Sequence, residues 1–141
     1  MKHTLVVALL LIGVSSRAED NARRDGNAWR DMSQEGKAYY VNGFFDGMNF
    51  GATATRQGLL DQKATACAEV ALNSFEYGAK FFHDVNAGQI RDGLDQFYED
   101  YRNRSIAIHR AIWIVVKVIH GTPQKKVNSM VEYERQHVGA T

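Results

Sequence analysis

The feature of this sequence that most constrains its fold is the run IAIHRAIWIVVKVIH at residues 106–120, which is apolar on nearly every side. A helix that is apolar all round must be covered by neighbouring elements on several sides. His120 in the last turn, Gly121 just after it and Pro123 beyond are typical of a helix C-terminus. The run therefore predicts a central helix flanked by other helices.

The stretch before it, residues 86–101, has the pattern of an amphipathic helix. Asn86 can cap this helix, and Gln89 stands where the partner of a capping box reaches back. The apolar positions share one face: Ile90, Leu94, Phe97, Tyr98 and Tyr101. We expect Phe97 and Ile112 to point into the core, where truncation to alanine costs about 2–5 kcal/mol.

A further helix is predicted upstream, with Asp31 or Ser33 as its cap and an end near Thr55. Its unusual feature is a glycine at every fourth position: Gly43, Gly47 and Gly51. Each glycine costs roughly 1 kcal/mol relative to alanine in a helix. We expect a neighbouring helix packed close to this stripe to offset that cost, so that Gly47→Leu is strongly destabilising. The alternative is a weak or broken helix.

The remaining segments complete a helical pattern. Gln57 and Gly58 predict a break, and Asp61 can start the next helix. Residues 76–85 fit a helix end, a strand or a packed loop; with no strand partner evident, a helix followed by a loop is preferred. A last helix follows Pro123. The fold class predicted is all-α, a compact single domain of four to five helices after an N-terminal signal peptide.

The N-terminus predicts export. A basic start, an apolar run from Leu5 to Val14 and a Ser-Arg-Ala site are typical of a signal peptide at residues 1–18. An uncleaved anchor or a first core helix is the alternative, but the run is about half of the roughly 20 residues that a spanning helix needs. We expect a flexible leader at 19–28, a helical domain at 29–138, and a periplasmic or secreted protein.

Charge and cysteine content limit the partners and the chemistry. The whole chain has 17 basic and 16 acidic residues, and loss of Lys2 and Arg17 with the signal peptide leaves it nearly neutral. Binding to nucleic acid therefore has no electrostatic support. Cys67 is the single cysteine, so an intrachain disulfide is excluded. It is interpreted as a small buried apolar residue, with an intermolecular disulfide or a nucleophile as alternatives.

No arrangement of side chains indicates catalysis, a cofactor or a metal. An acidic group on one predicted helix is interpreted as a solvated face: Asp92, Asp95, Glu99 and Asp100. His109 and His120 would stand roughly 16 Å apart on one helix, too far to share a metal ion. We therefore predict a protein that is not an enzyme, and leave a small hydrolase built from scattered residues as a minor alternative.

The densest polar cluster is the corner between the two best-defined helices. The candidate interface residues there are Tyr98, Asp100, Tyr101, Arg102, Asn103 and Arg104. Tyrosine and arginine are enriched at binding hot spots. A purely structural role is the alternative: Asn103 or Ser105 would cap the following helix, and an arginine would pair with Asp100 or with carbonyls at the preceding helix end.

A signal peptide followed by KAYYVNGFFDG, VNAGQIRDGLDQFY, AIWIVV and GTP in this order resembles the Rap1a/Tai family of immunity proteins. Paired cysteines, which such proteins usually carry, are absent here. The resemblance implies an exported helical binder that blocks a cell-wall amidase toxin, with a protein partner and no stable membrane insertion after cleavage. A homodimer remains open, and a helical envelope protein of structural role is the alternative function.

Overall fold

The computed structural model describes residues 24–61 and 66–138, and this part of the chain is all-α, as predicted. Its six α-helices are α1 (Gly26–Asp31), α2 (Gln34–Asp61), α3 (Ala66–Phe82), α4 (Ala87–Glu99), α5 (Ile108–Ile119) and α6 (Gln124–Gln136). A single 3-10 turn, Tyr101–Asn103, lies between α4 and α5. The predicted signal peptide and the side chain of Cys67 lie outside the described residues.

Helix α5 is central, as its sequence predicts. Ile108, Ile112 and Val116 are fully buried, while α4 and α6 both pack against α5. The inward position predicted for Ile112 is confirmed. The helix ends at Ile119, and Gly121 adopts a left-handed backbone conformation (φ 72°) that terminates it.

Helix α4 begins with the predicted capping box. The Asn86 side chain accepts from the Gln89 backbone N–H (2.9 Å), and the Gln89 side chain accepts from the Asn86 N–H (3.0 Å). Phe97 packs against the core as a half-buried side chain. The sequence predicts Tyr101 on the apolar face of this helix, but its side chain is 73% exposed, because α4 ends at Glu99, before Tyr101.

Residues 24–28, the described part of the leader predicted at 19–28, belong to the cap and the first helix of the fold, whereas residues 19–23 lie outside the described residues. The Asp25 carboxylate caps α1 by accepting from two backbone N–H groups, and the Gly26 N–H donates to the Arg104 carbonyl (3.0 Å). The Arg24 carbonyl in turn accepts from the Ile108 N–H (2.7 Å) at the start of α5. Ala107 stands at the N-cap of α5 without a side-chain cap, so neither Asn103 nor Ser105 caps this helix as the structural alternative for the corner predicts.

Helix α2 begins as predicted but is longer. Ser33 Oγ accepts from the Gly36 N–H (3.1 Å) at its start. The predicted break at Gln57 and Gly58 is wrong, since α2 continues to Asp61. In the uncertain segment 76–85, α3 continues to Phe82 and a turn follows, which agrees with the preferred choice of a helix and then a loop. Among the residues described, no helix is long and apolar enough to cross a membrane.

The glycine stripe of α2 does not make the helix contact that its spacing suggested. Gly43 and Gly47 are exposed, and a methyl group added to either would have no atom within 4 Å. The close helix contact involves Gly93 of α4 instead, where an added methyl group would collide with the Val115 side chain of α5. Position in the packed structure, rather than spacing, determines which glycine is needed.

These two glycines should respond to alanine in opposite directions. We expect Gly47→Ala to raise the free energy of unfolding by about 0.5–1 kcal/mol, since alanine is the better helix former and meets open space. Gly93→Ala should lower it by about 1–3 kcal/mol through overpacking against Val115. Urea denaturation of the matched pair tests this prediction, and a loss of stability in Gly47→Ala would contradict the open position of the stripe.

Candidate functional site

A groove of about 890 Å³ runs between α4 and α6. Its floor is α5, and the 3-10 turn lies at one end. We call it the α4–α6 groove. Polar residues on its rim are Gln89, Asp92, Gln96, Asp100, Arg102, Gln124, Asn128, Glu132 and Arg135. Apolar residues within it include Phe97, Val115, Val118, Ile119, Val127 and Val131.

The helical repeat explains why the rim is polar and the floor apolar. On α4 the lining positions follow at intervals of three or four residues from Gln89 to Asp100, and on α6 they do so from Gln124 to Arg135, so each helix contributes one face. Each wall thus combines a row of polar residues with an inner apolar row. The result is an apolar trough with polar edges.

The floor of the groove is accessible at one position above all. Val118 is 49% exposed, whereas Ile114 and Val115 of the same helix, which also line the groove, are buried. Val115 beside it is almost completely buried, because the Gly93 backbone lies directly against it. Valine at a half-exposed position on a central helix leaves an apolar surface that a partner group can cover.

The groove is closed at one end by an ionic network. Arg135 of α6 donates to Asn103 Oδ1 and to Asp100 Oδ2 (2.9 Å), which connects the end of α6 to the corner after α4. Arg102 donates to both oxygens of the same Asp100 carboxylate. Hydrogen bonds from the Arg102 side chain and backbone hold the pKa of Asp100 far below its usual value, with Arg135 adding to the effect.

The structure divides the six predicted interface residues into groups. Tyr101 and Arg102 are exposed, as an interface requires, and Asp100 and Arg102 line the groove. Tyr98 and Asn103 differ from the exposed corner that the sequence predicts, because they are only 1% and 6% exposed, although Asn103 also lines the groove. The Tyr98 hydroxyl donates to the Ile106 carbonyl (2.9 Å), and its ring lies where a side chain on Gly26 would be.

Asn103 and Arg104 have structural contacts at the end of α4. The Asn103 amide donates to the Phe97 carbonyl (2.7 Å) and accepts from Arg135, so it is satisfied inside the protein. Arg104 is half-buried and directs its guanidinium towards the Tyr98 carbonyl (3.5 Å), outside the groove. The pairing of an arginine with Asp100 and with a carbonyl of the preceding helix end agrees with the structural alternative for this corner.

The acidic face of α4 also differs from the interpretation of it as wholly solvated. Asp95 Oδ1 accepts from Lys37 Nζ (2.7 Å) and from the Trp29 indole N–H (2.8 Å). Burial acts to raise the pKa of Asp95, but the hydrogen bonds from Lys37 and Trp29, the charge of Lys37 and a hydrogen bond from Gln34 together lower it. Asp95 therefore holds α1 and α2 against α4, whereas Asp92 remains exposed at the groove.

Sequence reasoning missed the whole α6 wall of the groove. The signal was present in the apolar Val127 and Val131 with polar residues one position later on the same helix. That pattern predicts an amphipathic helix, but it does not say that the polar edge of this helix faces a cleft. Nothing in the sequence indicates that Arg135 contacts Asp100.

Histidine and acidic residues have other positions in the fold. His120 stacks on the Phe81 ring (5.5 Å between centroids), and partial burial, with Arg110 nearby, lowers the pKa of His109. Within residues 24–61 and 66–138, no group of three or more His, Cys, Asp or Glu side chains is placed to hold a metal ion.

No family model matches this chain, and no curated protein or solved structure is significantly similar to it.

Proposed function

We propose that this protein is a non-catalytic protein-binding module and that the α4–α6 groove receives an apolar segment of its partner. The observation that carries the proposal is the trough itself: a half-exposed Val118 in an apolar floor, bordered by amide and charged side chains. Apolar centres with polar rims are the usual anatomy of protein interfaces. Tyr101 and Arg102 beside the closed end are residue types that supply much of the binding energy at such surfaces.

The cellular setting belongs to the same proposal. The N-terminal pattern of residues 1–18 supports export to the periplasm or beyond. The resemblance to the Rap1a/Tai family supports an immunity protein whose partner is a cell-wall amidase toxin. In this proposal the chain binds the toxin and does not itself act on the cell wall.

Filling the groove should abolish partner binding without unfolding the protein. We expect Val118→Trp to reduce recovery of the partner by at least about tenfold, because the indole occupies the floor that a partner would cover. Val70→Trp is the matched control, since Val70 is an exposed valine (67%) on α3, outside the groove. The measurement is quantitative mass spectrometry of proteins co-purified from the envelope of the native host with wild type and both variants.

The pattern across the three proteins decides the proposal. A protein that is retained by wild type and Val70→Trp but lost by Val118→Trp is the expected result, and its identification as an amidase would support the immunity assignment. Equal recovery by all three would contradict the groove as the binding site. Turnover of a substrate by the purified, partner-free protein would contradict a non-catalytic role.

A further inference from the structure

We propose that the occupant of the α4–α6 groove is an amphipathic helix of the partner, about three turns long, with a lysine or arginine on each side of its apolar stripe. This inference depends on the proposed function, because it names the part of the partner that is bound. It follows from the length of the groove, the directions of its helices and the charges on its rim.

The length of the groove suits a short helix. Its walls extend from Gln89 to Asp100 on α4 and from Gln124 to Arg135 on α6. At 1.5 Å per residue each wall is about 16 Å long, which corresponds to three helical turns. Helices bound in apolar grooves place anchors at positions i, i+3 or i+4, and i+7, and Val118, Ile119 and Val131 offer apolar surface for such a row.

Helices α4, α5 and α6 run in directions that match three members of a four-helix bundle, and the groove lies where the fourth helix would be. The C-terminal ends of α4 and α6 meet through the Arg135–Asp100 ion pair (2.9 Å), and both helices line the same groove along their lengths. Helix α5 runs between them in the opposite direction, since it follows the corner at the C-terminal end of α4. A helix in the groove would complete an up-down-up-down arrangement if it ran antiparallel to α4 and α6.

That orientation is also favourable electrostatically. The N-terminus of the bound helix would lie at the closed end of the groove, near Asp100 and the C-terminal ends of α4 and α6. The N-terminus of a helix carries partial positive charge, and the C-terminus carries partial negative charge. The reverse orientation would place like ends of three helices together.

An acidic residue lies on each wall of the groove, Asp92 towards the open end and Glu132 towards the closed end. Asp92 of α4 and Glu132 of α6 are exposed groove residues. Their partners in the described chain come from their own helices: Asp92 pairs with the adjacent Arg91 (2.7 Å), and Glu132 contacts Arg135 (3.5 Å) and accepts from the Gln136 amide (3.1 Å). Exposed pairs of this kind contribute little, so a cation from a partner can replace them at small cost.

The basic residues of the groove are engaged elsewhere. Arg102 and Arg135 both direct their guanidinium groups to Asp100 at the closed end. The other polar rim positions between the two ends, such as Gln96 and Asn128, are neutral amides. The acidic residue on each wall therefore favours a partner helix with basic residues along the edges of its apolar stripe and disfavours one with acidic residues there.

Two stapled helical peptides test the inference directly. Both carry leucine at i, i+4 and i+7; one has lysines beside this stripe and the other has glutamates at the same positions. Stapling is needed because short isolated helices are marginally stable in water. We expect the lysine peptide to bind at least tenfold more tightly than the glutamate peptide in fluorescence anisotropy with the wild-type protein.

Reversing the charges of the two acidic groove residues tests whether they cause the preference for the lysine peptide. Asp92→Lys combined with Glu132→Lys should weaken lysine-peptide binding by roughly tenfold or more, since exposed ion pairs of up to about 1 kcal/mol each become repulsions. The matched control is Asp46→Lys with Glu76→Lys, two exposed acids on α2 and α3 outside the groove. A spin label on the peptide N-terminus should broaden the amide signals of Asn103 more strongly than those of Gln124.

The outcomes separate this inference from the proposed function. Four results would each overturn the helix proposal: failure of the lysine peptide to bind, equal binding of both peptides, equal effects of the two charge reversals, or broadening at Gln124 at least as strong as at Asn103. If Val118→Trp still removes the natural partner in that case, the groove remains the binding site with a different occupant. If Val118→Trp retains the natural partner, the proposed function fails whatever the peptides do.

Discussion

Replacing Trp29 with alanine should lower the free energy of unfolding by about 3–5 kcal/mol, the range found for large aromatic side chains removed from a core. Trp29 is fully buried, and its ring meets the Tyr40 ring edge-on at 6.1 Å between centroids. Its indole N–H donates to Asp95 (2.8 Å), and Lys37 Nζ lies 5.5 Å from the ring centroid. The substitution therefore leaves a large cavity beside a partly buried ion pair.

The effect should extend beyond the cavity because Trp29 anchors the short helix α1. Without it, the segment from Arg24 to Asp31 is held chiefly by backbone hydrogen bonds to the corner before α5, including the Arg24 carbonyl that accepts from Ile108. Loss of that contact would leave the start of α5 without its acceptor partner. We therefore expect the N-terminal segment to exchange its amide hydrogens faster in the variant.

Urea denaturation followed by circular dichroism measures this prediction. Trp29→Phe is the control: it keeps most of the apolar volume but loses the indole donor, so we expect a smaller loss of stability than for alanine. A midpoint for Trp29→Ala equal to that of wild type would show that α1 is not part of the cooperative core.

Replacing Ile112 with alanine should cost about 2–5 kcal/mol of unfolding free energy. Ile112 is fully buried on α5, which contacts both α4 and α6, so neighbouring side chains cannot easily collapse into the space. Phe97→Ala, for which the sequence predicted the same range, should cost less. Its side chain is half-buried at the groove wall, and part of its surface already faces solvent.

Val118→Ala provides the reference on the same helix. Its side chain is half-exposed at the groove floor, so we expect it to change stability by no more than about 0.5–1 kcal/mol. Thermal and urea melts of the three variants should therefore rank Ile112 first, Phe97 second and Val118 last. A loss at Val118 equal to that at Ile112 would mean that the groove floor is part of the core and not an open surface.

The sequence alone determined the features that depend on neighbours along the chain. The start of α4 follows from Asn86 and Gln89, whose capping bonds join residues three apart, and the end of α5 follows from the conformational freedom of Gly121. The apolar run of α5 likewise predicted its burial. These interactions are local or periodic, so the residues that make them can be recognised without knowing the fold.

The tertiary structure decided everything that joins distant residues. The Arg24 carbonyl accepts from the first N–H of α5, at Ile108, where no side chain caps the helix. Arg135 of α6 donates to the Asp100 carboxylate at the end of α4. The exposure of Gly47 and the burial of Tyr98 were decided in the same way, by which helix lies against which face. Spacing along a helix shows which residues share a face, whereas only packing determines whether that face meets another helix, solvent or an open groove.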